Sequence, residues 1–143
     1  MRHIIDYNAV QPRNRKLGGS FAALFGGKPK VKLATIQIII SPHARPNRVE
    51  LLSTVGITGV RRLSRLSLTI FRDGKQIFNT QQDIESARFR QFYFVTLQGI
   101  DRNVQPGKHV YTLFAENVGA ANTRVDVDGP INFSGLAIKT GNR

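Results

Sequence analysis

From Leu33 onward, apolar side chains recur at every second position, and this period limits the fold more than any other feature of the chain. Leu33-Ala34-Thr35-Ile36-Gln37-Ile38-Ile39-Ile40 reads as a strand stopped by Ser41-Pro42, and Val49, Leu51, Ser53, Val55 and Ile57 line one face of the next. Leu66, Leu68 and Ile70 alternate with Ser67, Thr69 and Phe71 up to Asp73-Gly74. That dipeptide favours the positive backbone angles of a type I′ turn, so Lys75 to Thr80 is expected to return as the partner strand.

Further strands are expected at Phe89 to Gln98, at His109 to Asn117 after the Pro106-Gly107 turn, and at Thr123 to Asp128. Gly129-Pro130 then leads into Ile131 to Ile138. Phe89, Phe92, Tyr93 and Phe94 occupy positions where core or sheet-packing residues are expected. No long window has helical spacing. Seven or eight strands with Gly, Pro, Asn and Asp between them predict an all-β, antiparallel two-sheet sandwich, of jelly-roll or immunoglobulin type. The chain has neither Trp nor Cys, which removes the usual immunoglobulin markers and favours the jelly roll.

Residues 1 to 30 differ in character. His3-Ile4-Ile5-Asp6-Tyr7 is strand-like, with His3, Ile5 and Tyr7 expected on one side and Ile4 and Asp6 on the other. Behind it, residues 11 to 30 mix Pro12, Gly18, Gly19, Gly26, Gly27 and Pro29 with basic residues around a short apolar patch, Phe21 to Phe25. The expected organisation is an N-terminal strand and basic arm over 1–30, followed by one sandwich domain over 31–143. Two arrangements of the first strand remain open: addition to a neighbouring subunit's sheet edge, or a place in the chain's own sandwich. A secretory signal needs roughly 7 to 15 continuous apolar residues, which this opening lacks. Nothing approaches the roughly 20 apolar residues of a membrane-spanning helix, so no signal peptide and no membrane insertion are expected.

Catalytic chemistry is poorly represented. Cysteine is absent, and His3, His43 and His109 are far apart with no partner at metal-ligand spacing. Ser134 lacks the glycine two residues before it that a nucleophile elbow requires. Asp126 and Asp128 fall on the same side of a strand, a spacing compatible with calcium or a glycosidase pair but also with ordinary turn chemistry in Asp126-Val127-Asp128-Gly129. No phosphate-binding loop or dinucleotide fingerprint occurs. The expectation is a protein that is not an enzyme and has no catalytic residue, metal site or cofactor.

Charge points to a partner instead. The formal net charge is +12, and residues 1 to 75 hold 14 Lys/Arg against 3 Asp/Glu. Arg13, Arg15, Lys16, Lys28, Lys30, Lys32, Arg61, Arg62 and Arg65 are therefore candidate contacts for a polyanion. The corresponding function is a cationic binding module for nucleic acid or an acidic wall polymer, which includes a small capsid-like coat protein.

A resemblance supplies the other expectation. His3-Ile4-Ile5-Asp6-Tyr7, Pro46-Asn47-Arg48-Val49-Glu50-Leu51, Ile70-Phe71-Arg72-Asp73-Gly74 with Ile77-Phe78-Asn79-Thr80-Gln81-Gln82, Gln91-Phe92-Tyr93, Val104-Gln105-Pro106-Gly107 through Tyr111-Thr112-Leu113, and Gly129-Pro130-Ile131-Asn132-Phe133-Ser134-Gly135-Leu136-Ala137-Ile138 together resemble the exosporium protein C family. These are small all-β proteins of the outer surface layer of Bacillus-type endospores. The basic segments 11–30 and 61–65 depart from that pattern. The last strand also resembles the closing strand of C1q and tumour-necrosis-factor type jelly rolls, which pack about a threefold axis. The resemblance implies a structural, self-assembling subunit of a spore surface layer or spore-associated fibre, located on the spore surface, whose partners are itself and other spore-surface proteins. Within that reading, His3, Ile4, Ile5, Asp6 and Tyr7 form the assembly strand, and Phe133, Gly135 and Leu136 belong to a subunit-packing strand.

Overall fold

A computed structural model of the chain describes residues 3–14, 21–86 and 91–141. The regular elements of these residues are all strands: β1 (His3–Arg13), β2 (Ala22–Phe25), β3 (Val31–Ile40), β4 (Asn47–Arg61), β5 (Ser64–Arg72), β6 (Lys75–Ile84), β7 (Gln91–Arg102), β8 (Gly107–Asn117) and β9 (Arg124–Lys139). One sheet has the order β1-β9-β4-β7, with β2 also paired to β9; the second has the order β3-β8-β5-β6. All pairings are antiparallel. β1 and β2 occupy successive stretches of one edge of β9, and the chain's path between the sheets is that of a jelly roll.

The core lies between the sheets, where the period-two pattern places it. Val49, Leu51, Val55 and Ile57 of β4 and Ile131 and Phe133 of β9 face Ile36 and Ile38 of β3, Leu66, Leu68 and Ile70 of β5, and Tyr111 and Leu113 of β8. Burying each large apolar side chain contributes about 1.5–3 kcal/mol. The β5–β6 hairpin forms at Asp73-Gly74, with φ of 51° and 83° and Arg72 opposite Lys75.

Three local expectations are corrected. Gly129-Pro130 does not separate two strands; β9 runs through it for 16 residues. Pairing on both sides of β9 overrides the local turn signal, and the surplus is taken up as a bulge: Val55 pairs with Ile131 and Ile57 with Val127, leaving Asp128, Gly129 and Pro130 opposite Gly56. Within the expected basic arm, the described residues are partly strand, because β1 continues to Arg13 and β2 adds to β9 at Val127 to Arg124. The boundary expected at residue 30 thus falls inside a structure whose first two strands are hydrogen-bonded to its last. Finally, Phe94 is not a core residue but lies on the outer face of the first sheet, edge-to-face with Phe92 at 4.9 Å; the inward side of β7 carries Tyr93, Val95 and Leu97. Phe89 lies outside the described residues.

The bulge makes a sharp demand at Gly56. A Cβ there would fall 2.1 Å from the Gly129 carbonyl oxygen and 2.3 Å from its carbon, both backbone atoms of a central strand. Gly56→Ala is therefore expected to lower stability by at least about 2 kcal/mol, in the upper range of overpacking effects. Urea unfolding checks this, and a midpoint equal to that of the wild type would contradict the close approach.

Candidate functional site: the outer face of the five-stranded sheet

The first strand pairs with β9 of its own chain: His3 opposite Lys139, Ile4 opposite Ile138, Asp6 opposite Ala137 and Tyr7 opposite Leu136. A bulge at Ile5 changes the expected alternation. Ile4 and Tyr7 now share the outward face with Leu136 and Ile138, whereas His3 and Asp6 share the opposite side and Ile5 packs against the core. On that inner side, Asp6 Oδ2 accepts a hydrogen bond from the Ile39 N–H at 2.7 Å and Asn8 Nδ2 donates to the Gln37 carbonyl at 3.0 Å. Side chains of one sheet's edge thereby occupy main-chain groups of the other sheet's edge strand, β3.

The outward face carries apolar side chains across all four long strands. Ile4, Tyr7, Leu52, Phe94 and Ile100 are between 47% and 72% exposed, too open for a core role, and Leu136 lies among them half-buried. Tyr7 and Ser134 line two adjoining grooves, one of ≈ 340 Å³ whose lining includes Ala9, Gln11 and Asn132, the other of ≈ 270 Å³ whose lining includes Glu50, Leu52, Gln98 and Leu136. The outward positions of β1, β9, β4 and β7 in this region bear few charges. Arg48 and Glu50 neutralise one another at 3.0 Å, and Arg102 stands at the end of β7. Among the described residues, most of the excess charge of this +12 chain lies off this face.

The expected subunit-packing strand divides by the pleat. Phe133 is fully buried, and a Cβ on Gly135 would fall 2.8 Å from Ile36 Cδ1, so both belong to the chain's own core. Leu136 is the member that faces outward. Alternation makes this unavoidable, because neighbours in a strand point to opposite sides.

Among the described residues, the basic candidates divide between internal contacts, the second sheet and one end of the sandwich. Arg13 Nη1 donates to the Asp128 carbonyl at 2.6 Å and approaches Asp128 Oδ1 at 3.4 Å, with its guanidinium over Phe21. Arg65 pairs with Asp83 at 3.0 Å. Lys30 sits over the edge-to-face rings of Phe71 and Phe114 on the second sheet, where Lys32 is also exposed. Arg61 at the end of β4 and Arg62 and Lys28 in the adjoining turns are exposed at the same end of the sandwich, where Arg124 lies opposite both Arg61 and Phe25. Arg15 and Lys16 lie outside the described residues. Asp126 and Asp128 are both buried, Asp126 held by Arg124 at 2.9 and 3.1 Å and Asp128 by Arg13. Among the described residues, no three His, Asp or Glu side chains come together as a metal site would require.

Polar groups that sequence reading passed over fasten the ends of the sandwich. Asp101 of β7 accepts from Arg72 Nη1 at 2.7 and 2.6 Å and from the Tyr111 hydroxyl at 2.7 Å, joining the first sheet to two strands of the second. Burial pushes the Tyr111 phenol above its ordinary range, and the Asp101 charge pushes it further. Asn47 Nδ2 donates to the Ala44 and Val104 carbonyls, and its Oδ1 accepts from the Val104 N–H. At the opposite end, Asn117 reaches Leu24, Gly119 and Thr123. The clearest signal in the sequence was the position of Asn47 and Asn117 at the margins of strand patterns, where a buried amide replaces missing ladder bonds.

No protein-family model matches the chain, and comparison with curated proteins returns no match.

Asp73 has a second role beyond its turn. Its carboxylate accepts from the Val110 N–H at 2.8 Å and pairs with His109 Nδ1 at 2.7 Å. Partial burial opposes its charge, but these two contacts and nearby Arg72 outweigh that and hold the carboxyl below its usual value. A carboxyl depressed in the folded state contributes stability above its unfolded pKa, and this is lost as pH falls through the lower folded value. Asp73→Asn retains a residue suited to the type I′ turn. The wild type should lose more stability than Asp73→Asn when pH is lowered from 7 to below about 4. Urea midpoints across that range give the comparison; parallel losses would remove Asp73 from the account.

Proposed function

We propose that this chain is a structural subunit of a bacterial spore surface layer, exosporium or coat, or of a spore-associated fibre, and that it self-assembles through the outer face of its five-stranded sheet. The observation that carries the assembly reading is the charge-poor apolar face bearing Ile4, Tyr7, Leu52, Phe94, Ile100 and Leu136. Exposed contiguous apolar surface on a small domain marks an interaction site. A second copy is the occupant favoured by charge. Two chains of +12 repel each other over most of their surface, and this face is where they approach with the least repulsion, whereas an acidic partner gains more from Arg61, Arg62 and the lysines elsewhere. The spore setting, and association with other spore-surface proteins, rest on the resemblance of the quoted segments.

In this reading, β1 contributes through its side chains rather than by leaving its own sheet. Ile4 and Tyr7 belong to the face because β1 is paired to β9. The role is mechanical and needs no chemical step, cofactor or metal.

The test is sedimentation and electron microscopy of the purified protein at low and at roughly 1 M salt, where the Debye length falls to about 3 Å. Oligomers held by apolar packing persist at high salt. Leu52→Asp, at a half-exposed position of the face, should break up the larger assemblies with an unchanged circular dichroism spectrum. A wild-type protein that is monomeric at both salts would defeat the reading. Loss of all assembly at high salt would favour the cationic module that binds nucleic acid or an acidic polymer.

A further inference from the structure

Strand register brings like charges together at one end of the sandwich. Across the β5–β6 hairpin Arg72 stands opposite Lys75, and across β4 and β7 Arg48 stands opposite Arg102. Like charges directly opposite one another destabilise a sheet. One member of each pair has a carboxylate: Arg72 holds Asp101 at 2.6 Å, and Arg48 holds Glu50 at 3.0 Å. Lys75 and Arg102, both exposed, pair with no carboxylate among the described residues. These two cations line the same pocket of ≈ 340 Å³, which lies between the Asp73-Gly74 turn and the loop that joins β7 to β8.

The walls of this pocket are held by the protein itself. Asp73 accepts from the Val110 N–H at 2.8 Å, and its own N–H donates to the Val110 carbonyl at 2.8 Å. His109 lies between the Asp73 carboxylate at 2.7 Å and the Gln105 carbonyl at 2.6 Å, which ties the turn to the loop. Asn47 fixes Val104 through two hydrogen bonds, and Arg45 reaches the Asn103 carbonyl at 3.4 Å. Asp73, the carboxylate in the lining, is thus engaged by His109 and a main-chain N–H. A pocket ordered in advance loses little freedom when it is filled.

We propose that this pocket binds a phosphate monoester carried on a small polyol, with Lys75 and Arg102 holding the phosphate and the exposed Asn103 and Gln105 amides meeting hydroxyls. A doubly charged phosphate matches two uncommitted cations and relieves both like-charge contacts. An arginine fork suits phosphate oxygens, and a lysine beside it adds a point charge. The volume falls within the roughly 300–1,000 Å³ of small-molecule sites, which leaves space beside the phosphate. Among the described residues, the lining contains no Phe, Tyr or Trp on which a base could stack, and the His109 side chain is only 12% exposed. A polyol therefore suits the pocket better than a nucleotide. Binding of this kind is independent of self-assembly, because a single chain supplies these residues.

Titration calorimetry with glycerol 3-phosphate at about 0.1 M salt, where charges more than about 10 Å away are largely screened, tests this. The wild type should bind one equivalent per chain. Lys75→Gln/Arg102→Gln should bind at least about tenfold more weakly, since each lost charge-assisted contact is worth that much or more. Both side chains are exposed, so this variant should keep the wild-type circular dichroism spectrum. Arg61→Gln/Arg62→Gln removes the same charge from the opposite end of β4 and should bind within about twofold of the wild type. Equal weakening in the two double variants would overturn the proposal, as would a wild type that shows no saturable binding. Adenosine monophosphate presents the same phosphate on a base-bearing group. Tighter binding of it than of glycerol 3-phosphate would overturn the assignment to a polyol.

Discussion

β9 is hydrogen-bonded along both sides, and the arrangement of the rest of the first sheet follows from that. On one side it holds β4 over nearly its whole length; on the other it holds β1 and then β2. A strand in this position cannot slip by one residue without turning Phe133, Gly135 and Ala137 out of the core. The same pairing carries the strand through the bulge at Gly129-Pro130, which requires a glycine at position 56 to make room for it. It also sets the phase of β1, and therefore which of its side chains reach the outside.

The polar side chains act mainly at the margins of this framework. Asp6 and Asn8 close one seam between the sheets; Asp101, Arg72 and Tyr111 clasp them at an end. Asn47 and Asn117 supply hydrogen bonds where loops leave the ladders. Arg13 and Arg124 are committed to buried aspartates, so part of the cationic excess serves internal structure. Among the described residues, what remains on the surface lies mainly in turns, at strand ends and on the second sheet, and the first sheet's outer face carries few charges. Charge distribution, more than total charge, distinguishes the two sides of this molecule.

Much of the sandwich was legible in the residues. Val49 to Ile57 and Leu66 to Ile70 alternate because one face of each strand is buried, and Asp73-Gly74 adopts the backbone angles its composition favours. Reading went astray where long-range pairing outweighed local chemistry. Gly129-Pro130 looks like a turn in isolation, yet its strand is flanked on both sides. Pro12 and the glycines after it resemble a linker, yet β1 and β2 find their partners in the last strand of the chain. Phe94 has the composition of a core residue, but the pleat of β7 sends it outward.

The candidate face was only partly foreseen. Of its residues, Ile4, Tyr7 and Leu136 belong to the expected assembly and packing strands, whose Phe133 and Gly135 are internal. The bulge at Ile5 accounts for part of this, since one extra residue exchanges the two sides of a strand. By itself the sequence determined the strand class, the hairpin and the +12 charge, because these depend on period, turn residues and composition. Only the tertiary structure decided which apolar residues share an exposed surface and which are turned into the core. Those properties depend on register between strands far apart in the chain, and no local pattern encodes it.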